Sequence, residues 1–286
     1  MKLAIIIPVL GQHDLARTTW DFAVANLENP TTTDVIIIDN ASDEQFEYKN
    51  ENLPKPLHVV QLRQNIGVYP IFWEALKHTD ADILIFIHSD LIIAEKGYDQ
   101  RILKAFEDNP KLGMLGFIGS NEIDSAGGRG VGTTSNFQGN KTERHLATGQ
   151  VLSWVGSRAE AHGMRNDGLT PAAVVDGCAM VFRREVLEKI QQRPDFPIHH
   201  FYDRLLSSET REAGYDMAVL GIACDHISGQ TVGHEGAYDD AAREWAEAHG
   251  LTLEGSHNWD TVIYKEAERQ WINEYRDIKH LVPCKV

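Results

Sequence analysis

Three short runs limit what this chain can fold into: KLAIIIPV from residue 2, DVIIIDN from residue 34 and ADILIFIHSD from residue 81. Each is a block of β-branched and other apolar residues with no polar side chain at alternate positions. A strand with one face in water alternates apolar and polar residues; a strand covered on both faces does not. These runs therefore predict inner strands of a sheet with helices on both sides.

The intervening segments have helical spacing. HDLARTTWDFAVANL puts Leu15, Thr18, Phe22 and Ala25 on one face. GVYPIFWEALKH reads as a helix with Pro70 tolerated in its first turn, and YDQRILKAFEDNP as one stopped by Pro110. LHVVQLRQN and LGMLGFIGS add strands, VVDGCAMVFRREVLEKI a strand and a helix, and FYDRLLSSETREAGYDMAV a helix, a stop at Gly214 and a strand. The tail is expected to be helical at about 239–249 and 259–278, with Trp259, Trp271 and Tyr275 available to cover the core or a partner. No internal repeat is present. The alternation predicts an α/β fold, a Rossmann-like, mostly parallel, doubly wound sheet with a helical C-terminal tail.

Ligands of such sheets lie beyond the carboxyl ends of the strands. Pro8 and Val9, Asp39 and Asn40, Asn65, and His88, Ser89 and Asp90 all fall at those ends. In an extended chain His88 and Asp90 share one side and can share a divalent cation; a helix N-cap by Ser89 or Asp90 is the alternative. Asp39 suits either a nucleobase or ribose contact or an Asx-type turn. Asp203, ahead of an amphipathic helix, suits either a general base or a cap. His226 can complete a metal site or be structural, and His199, His200 and His234 compete for that role. SAGGRGVGTT, from residue 125, lacks the Gly-Lys-Ser/Thr ending of a phosphate loop and reads as a flap from which Arg129 can close on a diphosphate. It lies in a Gly-, Ser-, Thr- and Asn-rich stretch, about 120–170, that is too long for an idle connection.

Bulk properties narrow the partners. Aspartate and glutamate number 42 against 27 lysines and arginines, a net charge of −15, which disfavours a nucleic-acid partner. Three scattered cysteines, Cys178, Cys224 and Cys284, give neither a zinc spacing nor a disulfide framework and fit a reducing cytoplasm. MKLAIIIPVLG, interrupted by Pro8 and without a small-residue cleavage site, reads as a buried first strand rather than a signal peptide, and no transmembrane segment is expected.

Taken in order, these stretches resemble the inverting glycosyltransferases of the GT-A fold, in the family 2 group. IIIPVLGQHD is similar to that family's first strand and nucleotide-contacting turn, VIIIDNASDE to its nucleoside-holding stretch, and LRQNIGVYPIFWEAL to its Asn-x-Gly and helix. IFIHSDLII stands where the family has Asp-x-Asp, as in a branch with His-x-Asp. GMLGFIGS and VVDGCAMVFRREVLEKI resemble the acceptor half, HHFYDRLLSSETREAGYDMAV the acidic helix, and CDHISG the histidine loop.

The resemblance covers about residues 3–235. It implies a glycosyltransferase domain over 1–235, with a nucleotide-sugar-binding half at 1–93 and an acceptor half at 94–235, followed by a helical extension at 236–286. It implies transfer of a sugar from a nucleotide-sugar donor to a glycan or other hydroxyl-bearing acceptor. Asp203 would be the base, and Asp90, His88 and His226 would hold Mn2+ or Mg2+. Pro8, Val9, Asp39, Asn40, Asn65, Gly67, Ser89, Asp176 and Gly177 would surround the donor. Leu205 departs from the family, standing where a second aspartate is common. Two readings compete: a non-catalytic nucleotide- or sugar-binding module of this fold, and a nucleotidyltransferase, whose Gly-rich basic signature PVLGQHDLARTT lacks.

Overall fold

The computed structural model describes residues 1–48, 58–128, 134–135, 142–145, 151–154, 164–165, 168–227 and 235–275. In chain order the strands are β1 (Leu3–Val9), β2 (Thr33–Asp39), β3 (His58–Gln61), β4 (Ile83–Ile87), β5 (Leu91–Ile93), β6 (Leu112–Gly116) and β7 (Ile118–Ser120). Four short ones follow: β8 (Thr134–Ser135), β9 (Thr142–His145), β10 (Val151–Trp154) and β11 (Met164–Arg165). Then come β12 (Leu169–Pro171), β13 (Val174–Val175), β14 (Ala179–Arg183), β15 (Asp216–Leu220) and β16 (Cys224–His226). The helices are α1 (His13–Ala25), α2 (Ile71–Ala75), α3 (Tyr98–Asp108), α4 (Arg184–Ile190), α5 (Tyr202–Glu212), α6 (Glu235–Ala248) and α7 (Trp259–Tyr275).

The main sheet has eight strands in the order β12-β15-β6-β14-β4-β1-β2-β3. Its β4-β1-β2-β3 half is parallel throughout, as the unalternating runs predict. In the other half β14 runs antiparallel between β4 and β6, β15 is parallel to β6, and β12 is antiparallel at the edge. The sheet is thus mixed and mostly parallel. The reversal of β14 matters for the site: its start, with Asp176 and Gly177 just before it, lies at the rim where β4 ends, because Ala179 pairs with Ile87.

Both faces are covered, and successive residues divide between them. Leu3, Ile5, Ile7 and Val9 of β1 pack with Trp20 of α1 and Ile102 and Phe106 of α3. Ala4 and Ile6 pack on the opposite side with residues of α2, α4, α5 and α7. The face that α1 buries matches the expected one in part. Leu15 and Thr18 are buried as expected, together with Ala16, Thr19, Trp20, Ala23 and Val24, while Phe22 is half-buried and Ala25 exposed. Trp20, with the largest apolar surface, turns the helix toward the sheet.

α2 is shorter than its apolar spacing predicts. The amides of Val68 and Tyr69 both donate to the carbonyl of Ile198, at 2.9 and 3.0 Å, so the chain before Pro70 serves a tertiary contact rather than a helical turn. The tail helices appear near the expected places. Trp271 and Tyr275 of α7 lie in the core beneath α5, with Trp271 Nε1 donating to Ser208 Oγ at 3.2 Å. Among the described residues no helix is long and apolar enough to cross a membrane.

The α5–α7 seam carries a buried acid. Glu209 lies 3.8 Å from Arg193, which also pairs with Glu274. Burial pushes the Glu209 carboxyl up to about 8 against an ordinary 4.5; Arg193 opposes the shift, and Glu274 and Glu212 add to it. A raised acid favours the folded state fully below its unfolded pKa, and that contribution is lost as pH rises through its folded pKa. Wild-type protein is therefore expected to lose more Tm between pH 5 and pH 9 than Glu209→Gln does. Parallel Tm curves for the two proteins would show that this carboxyl does not titrate as described.

Candidate active site

The site begins where β4 ends. The amide of His88 donates to Cys178 O at 3.0 Å, tying this end to the start of β14, and Thr19 Oγ1 of α1 donates to Ser89 O at 2.7 Å. Ser89 and Asp90 lead directly into β5, so no helix follows for either to cap. β5 pairs antiparallel with β16, setting Leu91 opposite His226, and Ile227 N donates to Asp90 O at 3.1 Å. This two-stranded ladder brings His226 to the His88–Asp90 turn. His226 Nε2 lies 3.2 Å and His88 Nδ1 4.0 Å from Asp90 Oδ1, and the two imidazole centroids are 5.5 Å apart. One ligating atom from each of the three residues lies within 4.8 Å of the others.

The electrostatics suit a cation. About a third of the His88 side chain opens into the cavity while protein encloses the rest, and this desolvation lowers its pKa, only partly offset by Asp90. A neutral imidazole is the form that ligates metals. Burial by itself would raise Asp90; His226, whose Nε2 is 3.2 Å away, with the nearby His88 ring and a backbone amide together outweigh it, so the carboxyl lies below its ordinary value. His88 Nε2 is 3.1 Å from the hydroxyl of Tyr202, which fixes the ring with Nδ1 toward Asp90.

His88, Asp90 and Tyr202 line a cavity of about 700 Å3, together with Pro8, Val9, Asn40 and Ser89 from the strand ends; His226 stands behind Asp90 and does not line it. A second part of the lining comes from the turn before α5 and from the C-terminal region: His199, His200, Tyr238, Asp239, Asn258 and Asp260. His200 Nε2 lies 2.8 Å from Asp260 Oδ1, and the Asp260 amide donates to Asp239 Oδ1 at 2.9 Å. His200 and Phe201 have φ of 62° and 51°, a left-handed pair that non-glycine residues seldom adopt. His199 is 4% exposed, neither ring nitrogen has a hydrogen-bond partner among the described residues, and burial holds its pKa down to about 4, so it is neutral. Among the described residues the lining contains Asp90, Asp239 and Asp260 but no lysine or arginine.

The other expected residues stand around this cavity in different roles. Asn40 Nδ2 donates to Asn65 Oδ1 at 2.8 Å and to Gly67 O at 3.2 Å, and Ile66 N donates to Asn40 Oδ1 at 2.9 Å. Asn65 and Gly67 thus hold Asn40 in place rather than line the cavity. Gly67 has φ of +78°, and a Cβ there would come within 2.4 Å of Ile198 Cβ. Asp39 is fully buried; its oxygens accept from the amides of Ser42 at 2.9 Å and Phe46 at 2.8 Å, the bonds of a turn-forming aspartate. Asp176 Oδ1 accepts from Cys178 N at 2.9 Å, and Gly177 leaves room for Tyr202, whose hydroxyl would be 2.3 Å from a Cβ there.

Asp203 is 6% exposed, and its Oδ1 accepts from Arg204 N at 2.9 Å and Arg204 Nη1 at 3.1 Å. Its charge is felt at His88, yet it does not line the cavity, and neither do Asp39 and Asp176. Leu205 is fully buried in the core, which accounts for an apolar residue at that place. Arg129 and His234 lie outside the described residues. No spacing in the sequence points to Tyr238, Asp239, Asn258 or Asp260, since their place in the site follows from how α6 and α7 fold back.

Comparison with known proteins agrees with the fold. Among solved structures the chain is similar to the mannosyltransferase PcManGT from Pyrobaculum calidifontis in complex with GDP-Man and Mn2+. The identity is 13%, the match covers 96% of this chain and 70% of that one, and the TM-score is 0.51. It is also similar to S. aureus TarS 1–349, with 17% identity, coverage of 96% and 73%, and a TM-score of 0.48. At such identities the first likeness shows a shared GT-A-type fold, and the second score is too low to add to it. No curated protein matches the sequence. A family profile described as "Glycosyltransferase like family" matches residues 57–247, a span that includes His88, Asp90, Asp203 and His226, and with more than half of its length matched the chain belongs to that glycosyltransferase family.

Proposed function

We propose that the protein is a metal-dependent inverting glycosyltransferase of a His-x-Asp branch, which moves a sugar from a nucleotide-sugar donor to an acceptor hydroxyl. The observation that carries this reading is the His88–Asp90–His226 cluster, two of whose members, His88 and Asp90, line a cavity that, among its described residues, contains no lysine or arginine. A diphosphate entering this cavity would meet three carboxylates and no fixed cation, so a bound cation is the available counter-charge. Two imidazoles and a carboxylate fit Mn2+ and fit Mg2+ less well, since Mg2+ favours oxygen ligands and retained water. Mn2+ in the complex of the structurally similar mannosyltransferase agrees with this. Such a cation, when bound, offsets the charge that develops on a departing nucleoside diphosphate.

The chain's own residues do the remaining work. Pro8, Val9 and Asn40 shape the nucleoside side of the cavity, with Asn65 and Gly67 bracing Asn40 and Asp39 ordering the turn that follows β2. Asp176 and Gly177 set the turn against which Tyr202 packs, beside the donor sugar. Asp203, at the first turn of α5, takes the proton of the acceptor hydroxyl. A single carboxylate on the face opposite the leaving group suffices for direct displacement with inversion. On this reading residues 1–93 bind the donor, 94–235 serve the acceptor, and 236–286 form an extension. Buried thiols at Cys178 and Cys224 are consistent with a cytoplasmic setting.

A thermal-shift screen of GDP, UDP and ADP, each with Mn2+, with Mg2+ and with a chelator, tests the reading. One nucleotide is expected to raise Tm only when a divalent cation is present. Equal stabilisation in chelator would remove the metal from the function. Cation-dependent binding with no release of nucleoside diphosphate from any nucleotide-sugar, acceptor present, would favour a non-catalytic module.

A further inference from the structure

The part of the cavity lining that comes from the turn before α5 and the C-terminal region is built as a binding wall in its own right. Its six polar side chains, His199, His200, Tyr238, Asp239, Asn258 and Asp260, come from three separate parts of the chain and meet only here. The His200–Asp260 pair and the Asp260–Asp239 bond latch the left-handed His200–Phe201 turn to the C-terminal helices. Strained backbone held in place by its surroundings is characteristic of ligand sites. His199 gives a second, independent sign. It is almost wholly buried, borders the cavity and has no partner for either ring nitrogen among the described residues, whereas buried polar groups ordinarily have one.

We propose that this wall is the acceptor subsite, and that it takes the neutral, hydroxyl-rich end of a sugar rather than a phosphorylated or carboxylated one. The proposal rests on the glycosyltransferase reading above and adds the class of acceptor. The chemistry favours neutral hydroxyls. Carboxylates at Asp239 and Asp260 accept charge-assisted hydrogen bonds from them, and the Asn258 amide both donates and accepts. The Tyr238 ring, 5.0 Å from that of His199, offers an apolar face to sugar C–H groups. An anionic acceptor would meet Asp239 and Asp260, with no lysine or arginine in the described lining to offset them. Asn258 and Asp260 also lie beyond the matched span 57–247, whereas the three candidate metal ligands lie within it, so this part of the site belongs to the chain's own extension.

The test measures binding of p-nitrophenyl glycosides of common neutral hexoses, and of the same sugars as 6-phosphates and uronides, by saturation-transfer NMR titration. The full chain is used with Mn2+ and GDP, UDP or ADP. At least one neutral glycoside is expected to bind, its anionic forms at least about tenfold more weakly, and Asn258→Ala and Asp260→Asn each to weaken it at least about tenfold. Tm and circular dichroism check that both variants fold; Asn258→Ala removes the cap that Asn258 Oδ1 gives α7 by accepting from Thr261 N at 2.8 Å but none of the bonds of the His200–Asp260 latch, so it keeps the test decisive if Asp260→Asn does not fold. Three results would overturn the proposal: anionic sugars binding as tightly as neutral ones, no neutral sugar binding, or both variants staying within about twofold of wild type. Nucleotide stabilisation read on the same samples separates the two readings. Its absence with sugar binding retained sinks the transferase reading alone; its loss in both variants moves this wall to the donor and sinks the subsite.

Discussion

Asp90→Ala is expected to abolish cation-dependent stabilisation by the nucleoside diphosphate. Asp90 is the one carboxylate among the three clustered candidate ligands, and it lies between His88 and His226 at 4.0 and 3.2 Å. Without it, two imidazoles and no carboxylate remain in the cluster, and imidazoles alone bind hard divalent cations poorly. In wild type, a nucleotide–cation pair at one hundred times its Kd stabilises by about 2.7 kcal/mol. For a chain of this size that is a Tm rise of roughly 5–10 °C. The variant should show none of it, with or without Mn2+, and His226→Ala should show most of the same loss. An undiminished shift in a folded Asp90→Ala protein would separate the cluster from the donor.

Asp203→Asn is expected to leave that thermal shift intact while transfer falls by about 10²–10⁴-fold, the usual contribution of a general base. Asparagine keeps the size of the side chain and can still accept from Arg204 N and Nη1, so the first turn of α5 should hold. What is lost is the ability to take a proton. Asp203 is nearly buried and does not line the described cavity, so the acceptor must bring its hydroxyl to the α5 end of the site. The measurement is nucleoside diphosphate release with acceptor present, alongside the donor-binding shift. A near-normal rate would remove Asp203 from the chemistry and turn attention to the His200–Asp260 pair, which does face the cavity.

Much of the framework was legible in the residues. Blocks such as Ile5–Ile7, Val35–Ile38 and Ile83–Ile87 report double-sided burial directly, because a strand with a wet face must alternate. That fixes the parallel half of the sheet, and with it the rim where Pro8, Asn40 and His88 to Asp90 emerge. The reversal of β14 was not legible, since an apolar run carries no sign of its direction. The buried face of α1 was legible at Leu15 and Thr18 but not in its second half, where Trp20, Ala23 and Val24 are buried in place of Phe22 and Ala25.

The site divides in the same way. Sequence alone determined that His88 and Asp90 stand together at the carboxyl end of β4, because they directly follow its apolar run; that they do so in a turn, closed by Leu91 N donating to His88 O at 3.1 Å, is the structure's finding. Only the tertiary structure decided that His226 joins them through the β5–β16 ladder, that Asp39 spends its oxygens on the amides of Ser42 and Phe46, and that Asp260 crosses back to hold His200. Such meetings depend on how strands pair and helices pack over distances of many tens of residues. Those choices follow from the burial of whole faces, and no local pattern of residues records them.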